Sequence, residues 1–537
     1  MSSWWMISIV SATLLVSLRP DLSIRQSYVL TTLVFLLVTT VARFVYFAIL
    51  YPKYLTPLRH IPTPPDHERS WIRGNCNFYH LGFPFDEARK WVKTVPNTGF
   101  IRYYAISNIE RLLVTSPKAL SEILVTKCYN FVRPEVARLQ LAVVAGNGLL
   151  VAEGEEHKAQ RKSLNPSFTY RHIKDLYPVF WSKALELVQV IENDLPAHDG
   201  TVQIRTYAVR ALMDVIGVAG MDHDIGALKD PDNELRRRYE SLFLIPTIYH
   251  RFIALMALYV PGFRWLFKIP TQHKRQVAEN IKYIRSAANK IVQERKAQLQ
   301  NGKSSGIDIV SVALRSGTFT DKNMVDQIMT FLAAGHETTS SALQWSIYAL
   351  CKYPKVQERL REEIRTCLSD YDASIPVTAS VIDSLPYLNA FMNEVLRYWP
   401  PVPVVSRQAV RDVVIAGHPI PKGTVINLAA EVTNRDPNFW GPDAEEFKVE
   451  RWLTSNGTAN NNGGASSNYA YLTFLHGPRS CIGEKFARGE LACIVAALVR
   501  RFRMRLIDEN KKLETRTTIT KAPLDGVMAK FEVISEH

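Results

Sequence analysis

Cysteine is scarce and unpaired in this chain of 537 residues. Cys76, Cys128, Cys351, Cys367, Cys481 and Cys493 stand far apart, without the close spacings of a zinc site or the framework of a disulfide-stapled secreted fold. Such thiols suit a reducing, cytosol-facing body. No flavin- or dinucleotide-binding domain is present. Helix-turn-helix, finger and basic-tail signatures are also missing, and the basic residues behind the net charge of +14 are dispersed. Nucleic acid is therefore set aside, and an anionic membrane surface or an acidic redox protein is the better partner. Many of these charges need be no more than solvated faces. The start lacks a basic n-region and a small-residue cleavage site, which argues against a cleaved signal peptide.

Apolar residues, by contrast, make up 47% of the chain, ample for a large core. They are concentrated first near the N-terminus. Residues 4–18 are apolar and uncharged but short. Tyr28–Leu50 is long enough to span a bilayer, for which about 20 residues are needed. Arg43 inside it is a cost that snorkelling or a neighbouring helix would relieve. Residues 1–51 are read as a membrane anchor, with 28–50 as its span and 4–18 as a second candidate. Lys53, Arg59 and His60 follow and favour a cytosolic body. Pro52, Pro57, Pro62, Pro64 and Pro65 make 52–65 a stiff hinge. The remainder, 66–537, is read as one domain.

Within that body, helices are expected at 86–93 and 155–164, and short strands at 100–104 and 110–115. Thr320 and Asp321 cap a long helix that runs to about Lys352, and Pro354 opens the next. The stretch Ser241–Pro270 is apolar but broken by Pro246 and Pro261, which fits core helices or a mobile lid that dips into a bilayer. Thr454–Asn468 is rich in Asn, Gly and Ser and reads as a flexible surface insertion. Pro523–Val527 reads as a turn lining the far side of a pocket.

One stretch carries specific chemistry: Phe474-Leu475-His476-Gly477-Pro478-Arg479-Ser480-Cys481-Ile482-Gly483, followed by a helical run to Arg500. A cysteine at a helix N-terminus faces unpaired N–H groups that favour its thiolate. Gly477 and Gly483 allow a sharp turn and close approach of a flat group, and Arg479 can pair with a carboxylate on it. Haem, with its metal centre and acidic side arms, meets these demands. The pattern Phe-x-x-Gly-x-Arg-x-Cys-x-Gly closely resembles the haem-binding loop of cytochrome P450 enzymes, and the resemblance extends over nearly everything after the anchor.

The resemblance implies a mainly α fold with small β-sheets, haem b, and Cys481 as axial thiolate held in a cradle that includes Phe474, Gly477, Arg479 and Gly483. It implies that Arg161 and Arg407 reach the haem propionates. His157 stands where the family has tryptophan, and its ring can still donate. Ala333-Ala334-Gly335-His336-Glu337-Thr338-Thr339 matches the family's oxygen-handling helix. By that match Thr338 hydrogen-bonds dioxygen and Glu337 relays protons, in a helix that threonine hydroxyls would open locally. Glu394, Arg397 and Arg451 match a buried triad that fixes the cysteine loop, although Val449 and Trp452 depart from its commonest form. NADPH would supply electrons through a cytochrome P450 reductase, with cytochrome b5 as an additional partner, at the endoplasmic reticulum membrane. Lys485 and Arg488 are candidate docking cations. The expected activity is insertion of one oxygen atom into an apolar small molecule, in the manner of fungal secondary metabolism. A haem-thiolate isomerase or peroxide-user, and a non-catalytic haem protein, are the rival readings.

Overall fold

Most of the chain is helical in a computed structural model that describes residues 3–70, 73–76, 83–242, 271–302, 307–368, 377–510 and 513–534. By their contacts the residues divide into two units. The first is drawn from 1–84, 95–113 and 244–276, and the second from 85–94, 114–243 and 277–537.

In the first unit, helix α1 (Ser3–Leu18) lies along α2 (Tyr28–Val45). Ser27 caps α2 by accepting from the Leu30 N–H, and the Ser8 hydroxyl donates to Thr39 at 2.9 Å between the two helices. The helical path continues past Val45 as wider π-type turns over Tyr46–Leu55, with Pro52 inside it. Tyr28–Leu55 is thus long and apolar enough to cross a membrane, and extends beyond the expected end at Leu50. Arg43 lies 5.5 Å from the Phe47 ring centroid. The proline-rich stretch is fastened in place. Thr56 caps the turn Pro57–His60, and the Pro62 carbonyl accepts from Arg102 N–H at 2.8 Å. Arg102 belongs to β1 (Phe100–Tyr104), which neighbours β2 (Glu110–Val114).

In the second unit, α3 (Glu135–Ala145), α4 (Gly154–Leu164), α5 (Tyr177–Asp194) and α6 (Ile204–Met221) precede the central helix α7 (Asp321–Lys352). The Thr320 hydroxyl accepts from Asn323 N–H, Asp321 complements the N-terminus and Lys352 the C-terminus, so both ends match the sequence reading. Nearly every residue between is buried. The helix packs against α3, α6, α9 (Pro386–Tyr398) and α10 (Glu484–Arg501), while α8 (Pro354–Cys367) follows it directly. A Cβ on Gly335 would come within 3.2 Å of Ile216, so this glycine lets α7 and α6 approach closely.

The sheets are small. Strand β3 (Phe131–Val132) pairs with β4 (Val405–Ala409), which pairs antiparallel with β5 (Val425–Leu428), Arg407 opposite Ile426. Strand β6 (Phe502–Leu506) pairs with the last strand, Met528–Val533. Between them lies a hairpin of β7 (Thr515–Thr517) and β8 (Lys521–Pro523).

Two expectations are corrected. The 454–468 insertion is ordered: Thr454 N–H donates to Thr458 O at 2.8 Å, and Gly463 packs between the Trp440 and Trp452 rings. Helix α7 is also α-helical throughout, without the expected local opening. The lid expected within Ser241–Pro270 lies outside the described residues from 243 onward.

Candidate active site

A cavity of about 490 Å³ lies in the second unit, between α7 on one side and the cysteine loop with the start of α10 on the other. Its wall is mostly apolar, with Val144, Ile216, Phe331, Val402 and Ile519 among the contributors. Pro401, Val402 and the stretch from Val404 to Arg407 run along it. Pro523–Val527 do not; the hairpin turn Thr518–Thr520 takes that place.

The Cys481 loop is built by its own backbone. Cys481 N–H donates to Phe474 O at 2.8 Å and Ser480 N–H to Gly477 O at 3.0 Å. Gly477 has φ +74°, and a Cβ there would strike the Leu124 carbonyl oxygen at 2.2 Å. Gly477 therefore serves the loop's shape and packing, and does not line the cavity. Gly483 does line it, where a Cβ would meet nothing closer than 3.9 Å. Phe474 is on the wall as well, with the Arg488 guanidinium 4.9 Å from its ring.

The Cys481 side chain is open to the cavity but enclosed by protein around it. Burial pushes its thiol up to about 11, against the lowering pull of the Gly483 N–H, Arg161 and Arg488. The helix N-terminus thus helps the thiolate less than burial hinders it. A metal ion bound at the sulfur would reverse that balance outright.

At one edge of the cavity four guanidiniums gather: Arg133, Arg161, Arg407 and Arg479. Arg479 forms an ion pair with Glu153, and its guanidinium lies 5.1 Å from the Tyr129 ring. Arg133 donates from Nε to Leu150 O and from its N–H to Glu153, both at 2.9 Å. Arg161 reaches from α4 to the cysteine loop itself, donating to Ser480 O at 2.6 Å. Burial, then Arg133 and Arg479, push Arg407 down to about 9. His157 is likewise pushed down to about 4, first by burial and then by the neighbouring arginines, so it is neutral at neutral pH. Its Nδ1 lies 3.3 Å from the Tyr129 hydroxyl.

Four cations against one carboxylate call for further negative charge at this edge. Nε of Arg479 is buried without a hydrogen-bond partner, while its Nη2 is taken up by Glu153. The donor set therefore fits a group with two carboxylates at this edge, and an iron within reach of the Cys481 sulfur.

On the opposite wall, the Thr338 hydroxyl donates to Ala334 O at 2.6 Å, one turn back in α7. Glu337 is buried and accepts from the Thr520 hydroxyl at 2.9 Å, with Arg516 3.9 Å away. Glu490 of α10 also faces the cavity; burial raises its carboxyl well above the ordinary range, opposed by a hydrogen bond with Thr339.

The profile of the family described as Cytochrome P450 matches residues 64–528. The chain belongs to the cytochrome P450 family. Among its relatives, a cytochrome P450 monooxygenase sphH of Aspergillus fumigatus is 48% identical over 520 residues, covering 96% of this chain and 95% of the relative. A cytochrome P450 monooxygenase FSL4 of Gibberella zeae is 40% identical over 484 residues, 87% and 86% of the two chains. A third, FUM15 of Gibberella moniliformis, is 38% identical over 546 residues, 92% and 90%. This cytochrome P450 is a haem-thiolate oxidoreductase that carries haem b, takes its electrons from a redox partner and acts on small molecules.

The sequence reading found Arg161, His157, Arg407 and Arg479 but missed their neighbours Arg133, Glu153 and Tyr129. Thr520, Arg516 and Glu490 were missed too. Of these only Glu490 left a signal, as a lone acid entering the apolar run Leu491–Val499.

Proposed function

We propose that this cytochrome P450 is a membrane-bound monooxygenase that inserts one oxygen atom into an apolar small molecule of a secondary-metabolite pathway. One observation carries the reading. The cavity that holds the open Cys481 side chain and the arginine edge also holds Thr338 and Glu337, within an otherwise apolar wall. Bound haem supplies the activation of dioxygen on which such chemistry rests.

The chain's own residues then divide the work. Cys481 would hold the iron through its thiolate and donate electron density to it. Arg161, Arg407, Arg479 and Arg133 would hold the haem propionates, and His157 would add a neutral donor beside them. Phe474 and Gly483 shape the cysteine side, and Gly477 sets the loop's turn. Thr338, with its hydroxyl parked on Ala334 O, holds a proton near the reaction space. Glu337 passes protons inward from the hairpin side. The apolar wall binds the substrate and excludes bulk water.

Residues 1–51 are assigned as the anchor, 52–65 as the hinge and 66–537 as the catalytic body. The apolar helix Tyr28–Leu55 and the family match beginning at residue 64 support this division. The membrane is that of the endoplasmic reticulum, the body faces the cytosol, and the electron donor is NADPH-cytochrome P450 reductase, with cytochrome b5 as a second partner. Lys485 is exposed on the cysteine side and is available to such a partner, whereas Arg488 is taken up by Glu484 and Asn393.

The test is to incubate the full-length enzyme, reductase and NADPH with extract from a host lacking the enzyme. One new product heavier by a single oxygen atom, formed only with NADPH and reductase, is the expected result. Turnover with peroxide or without any reductant would replace this reading by the peroxygenase or isomerase. No turnover by haem-loaded enzyme with any extract would favour the non-catalytic haem protein.

A further inference from the structure

Glu337 is held by an element outside its own helix. Its Oε1 accepts from the Thr520 hydroxyl in a buried hydrogen bond of 2.9 Å. The Arg516 guanidinium lies 3.9 Å from the same oxygen. Both residues belong to the β7–β8 hairpin, where Arg516 pairs with Ala522 across the strands and Thr520 closes the turn just before Lys521.

That hairpin is also fixed to α7 further along the helix. The Lys521 carbonyl accepts from the Ser341 hydroxyl at 2.7 Å and from the Trp345 indole N–H at 3.1 Å. Ser341 and Trp345 lie one and about two turns beyond Glu337 on the same helix. The Thr520 hydroxyl is therefore placed by backbone anchored to α7, and threonine's single stiff torsion leaves it little freedom. Thr518, Ile519 and Thr520 are also part of the cavity wall. Besides Glu337, Arg516 lies within the electrostatic reach of Arg205 and Glu240.

We propose that Thr520 and Arg516 are positioning residues for proton delivery. The hairpin fixes one carboxylate oxygen of Glu337 and leaves the other to take a proton from water and release it toward Thr338. Each transfer brings one proton in and sends one out, and no electron passes through the carboxyl. The proposal rests on the reading of Glu337 as the proton-relaying group, and the experiment separates the two.

Haem-loaded full-length Glu337→Gln, Thr520→Val, Thr520→Ser and Arg516→Gln are compared with the parent. Two probes are used: carbon monoxide on the reduced enzyme, read by the infrared C–O stretch, and dioxygen with NADPH and reductase, read as oxygen consumption in H2O and D2O. Glu337→Gln is expected to shift the C–O band and to slow oxygen consumption about 100-fold. Thr520→Val should shift the band in the same sense, slow consumption on the order of tenfold and raise the solvent isotope effect. Thr520→Ser, which keeps the hydroxyl, should stay within about twofold of the parent. Arg516→Gln should fall between. A Thr520→Val enzyme like the parent, beside an impaired Glu337→Gln, overturns the role of the hairpin and leaves Glu337 standing. A Thr520→Ser enzyme as impaired as Thr520→Val also overturns it, because packing would then be the cause. A Glu337→Gln enzyme like the parent removes the relay itself. Should Thr520→Val fail to hold haem, a shifted band in Arg516→Gln supports the proposal and an unshifted one overturns it.

Discussion

Arg397 and Glu394 meet one turn apart on α9, with Nε and Nη2 each donating at 2.8 Å to a different carboxylate oxygen and neither side chain exposed to solvent. The pair does not stand alone. Arg451 Nε, the Lys448 N–H and the Trp452 indole N–H also donate to Glu394, at 3.2, 2.7 and 2.9 Å. Trp452, a departure from the family's common form, is thus a further donor. Arg397 donates onward to Asn434 O and Ala444 O, and Asn434 bonds Leu472 N–H and Thr473 just before the cysteine loop. Removing Arg397 would leave a buried carboxylate short of its main partner, at a cost of about 3–5 kcal/mol. Arg397→Ala should therefore fail to incorporate haem, measured as loss of the Soret band in purified protein. A normally loaded variant would refute this.

Arg397 also shows what the sequence could and could not disclose. The Glu394–Arg397 spacing places both on one helix face, so a pair was legible, but only the family resemblance supplied Arg451. The ends of α7 were legible because Thr320, Asp321, Lys352 and Pro354 mark them chemically. Arg161 came from the family resemblance, since its helix alone offered only an exposed face, whereas Glu153 and Arg133 come from loops whose meeting depends on tertiary packing. The β7–β8 hairpin, Thr515 to Pro523, has no run of alternating apolar residues, so its approach to Glu337 left no periodic signal. The left-handed Leu475, φ 55°, was equally hidden, since leucine gives no hint of that conformation.

The proposed ligand can be tested by spectroscopy. Cys481 is open to the cavity while its loop is held by the Phe474 and Gly477 carbonyls, neither of which depends on the thiol. Cys481→Ser should fold and retain the loop. The reduced parent enzyme with carbon monoxide should show the red-shifted Soret band of thiolate ligation, and Cys481→Ser should lose it. A red-shifted band that survives in Cys481→Ser would place the ligand elsewhere.

Thr338 offers a separation of chemistry from stability. Its hydroxyl bonds Ala334 O within the helix, and such i−4 bonds add little to helix stability. Thr338→Ala should change unfolding free energy by less than about 0.5 kcal/mol and load haem fully. It should divert NADPH electrons to hydrogen peroxide, measured as peroxide formed per NADPH consumed. A peroxide yield equal to that of the parent would remove Thr338 from proton handling.

Glu490 makes a prediction in pH. It is fully enclosed on α10, its Oε1 has no hydrogen-bond partner, and burial raises its carboxyl well above the ordinary range. In the unfolded chain the same group ionises near pH 4.3. Below that pH it is neutral in both states and contributes nothing to the pH dependence. Above it, the unfolded chain releases a proton that the native chain keeps, so native stability falls as pH rises, by up to about 1.4 kcal/mol per pH unit. Glutamine keeps an acceptor for Thr339 and has no proton to lose. Glu490→Gln should therefore gain on the parent steadily between about pH 4.5 and 7, measured as the difference in denaturant midpoints followed by haem absorbance. Other titrating groups are common to both proteins and cancel in that difference. A flat difference would mean that Glu490 ionises alike in both states, and a falling one that its carboxylate is stabilised by partners within the fold.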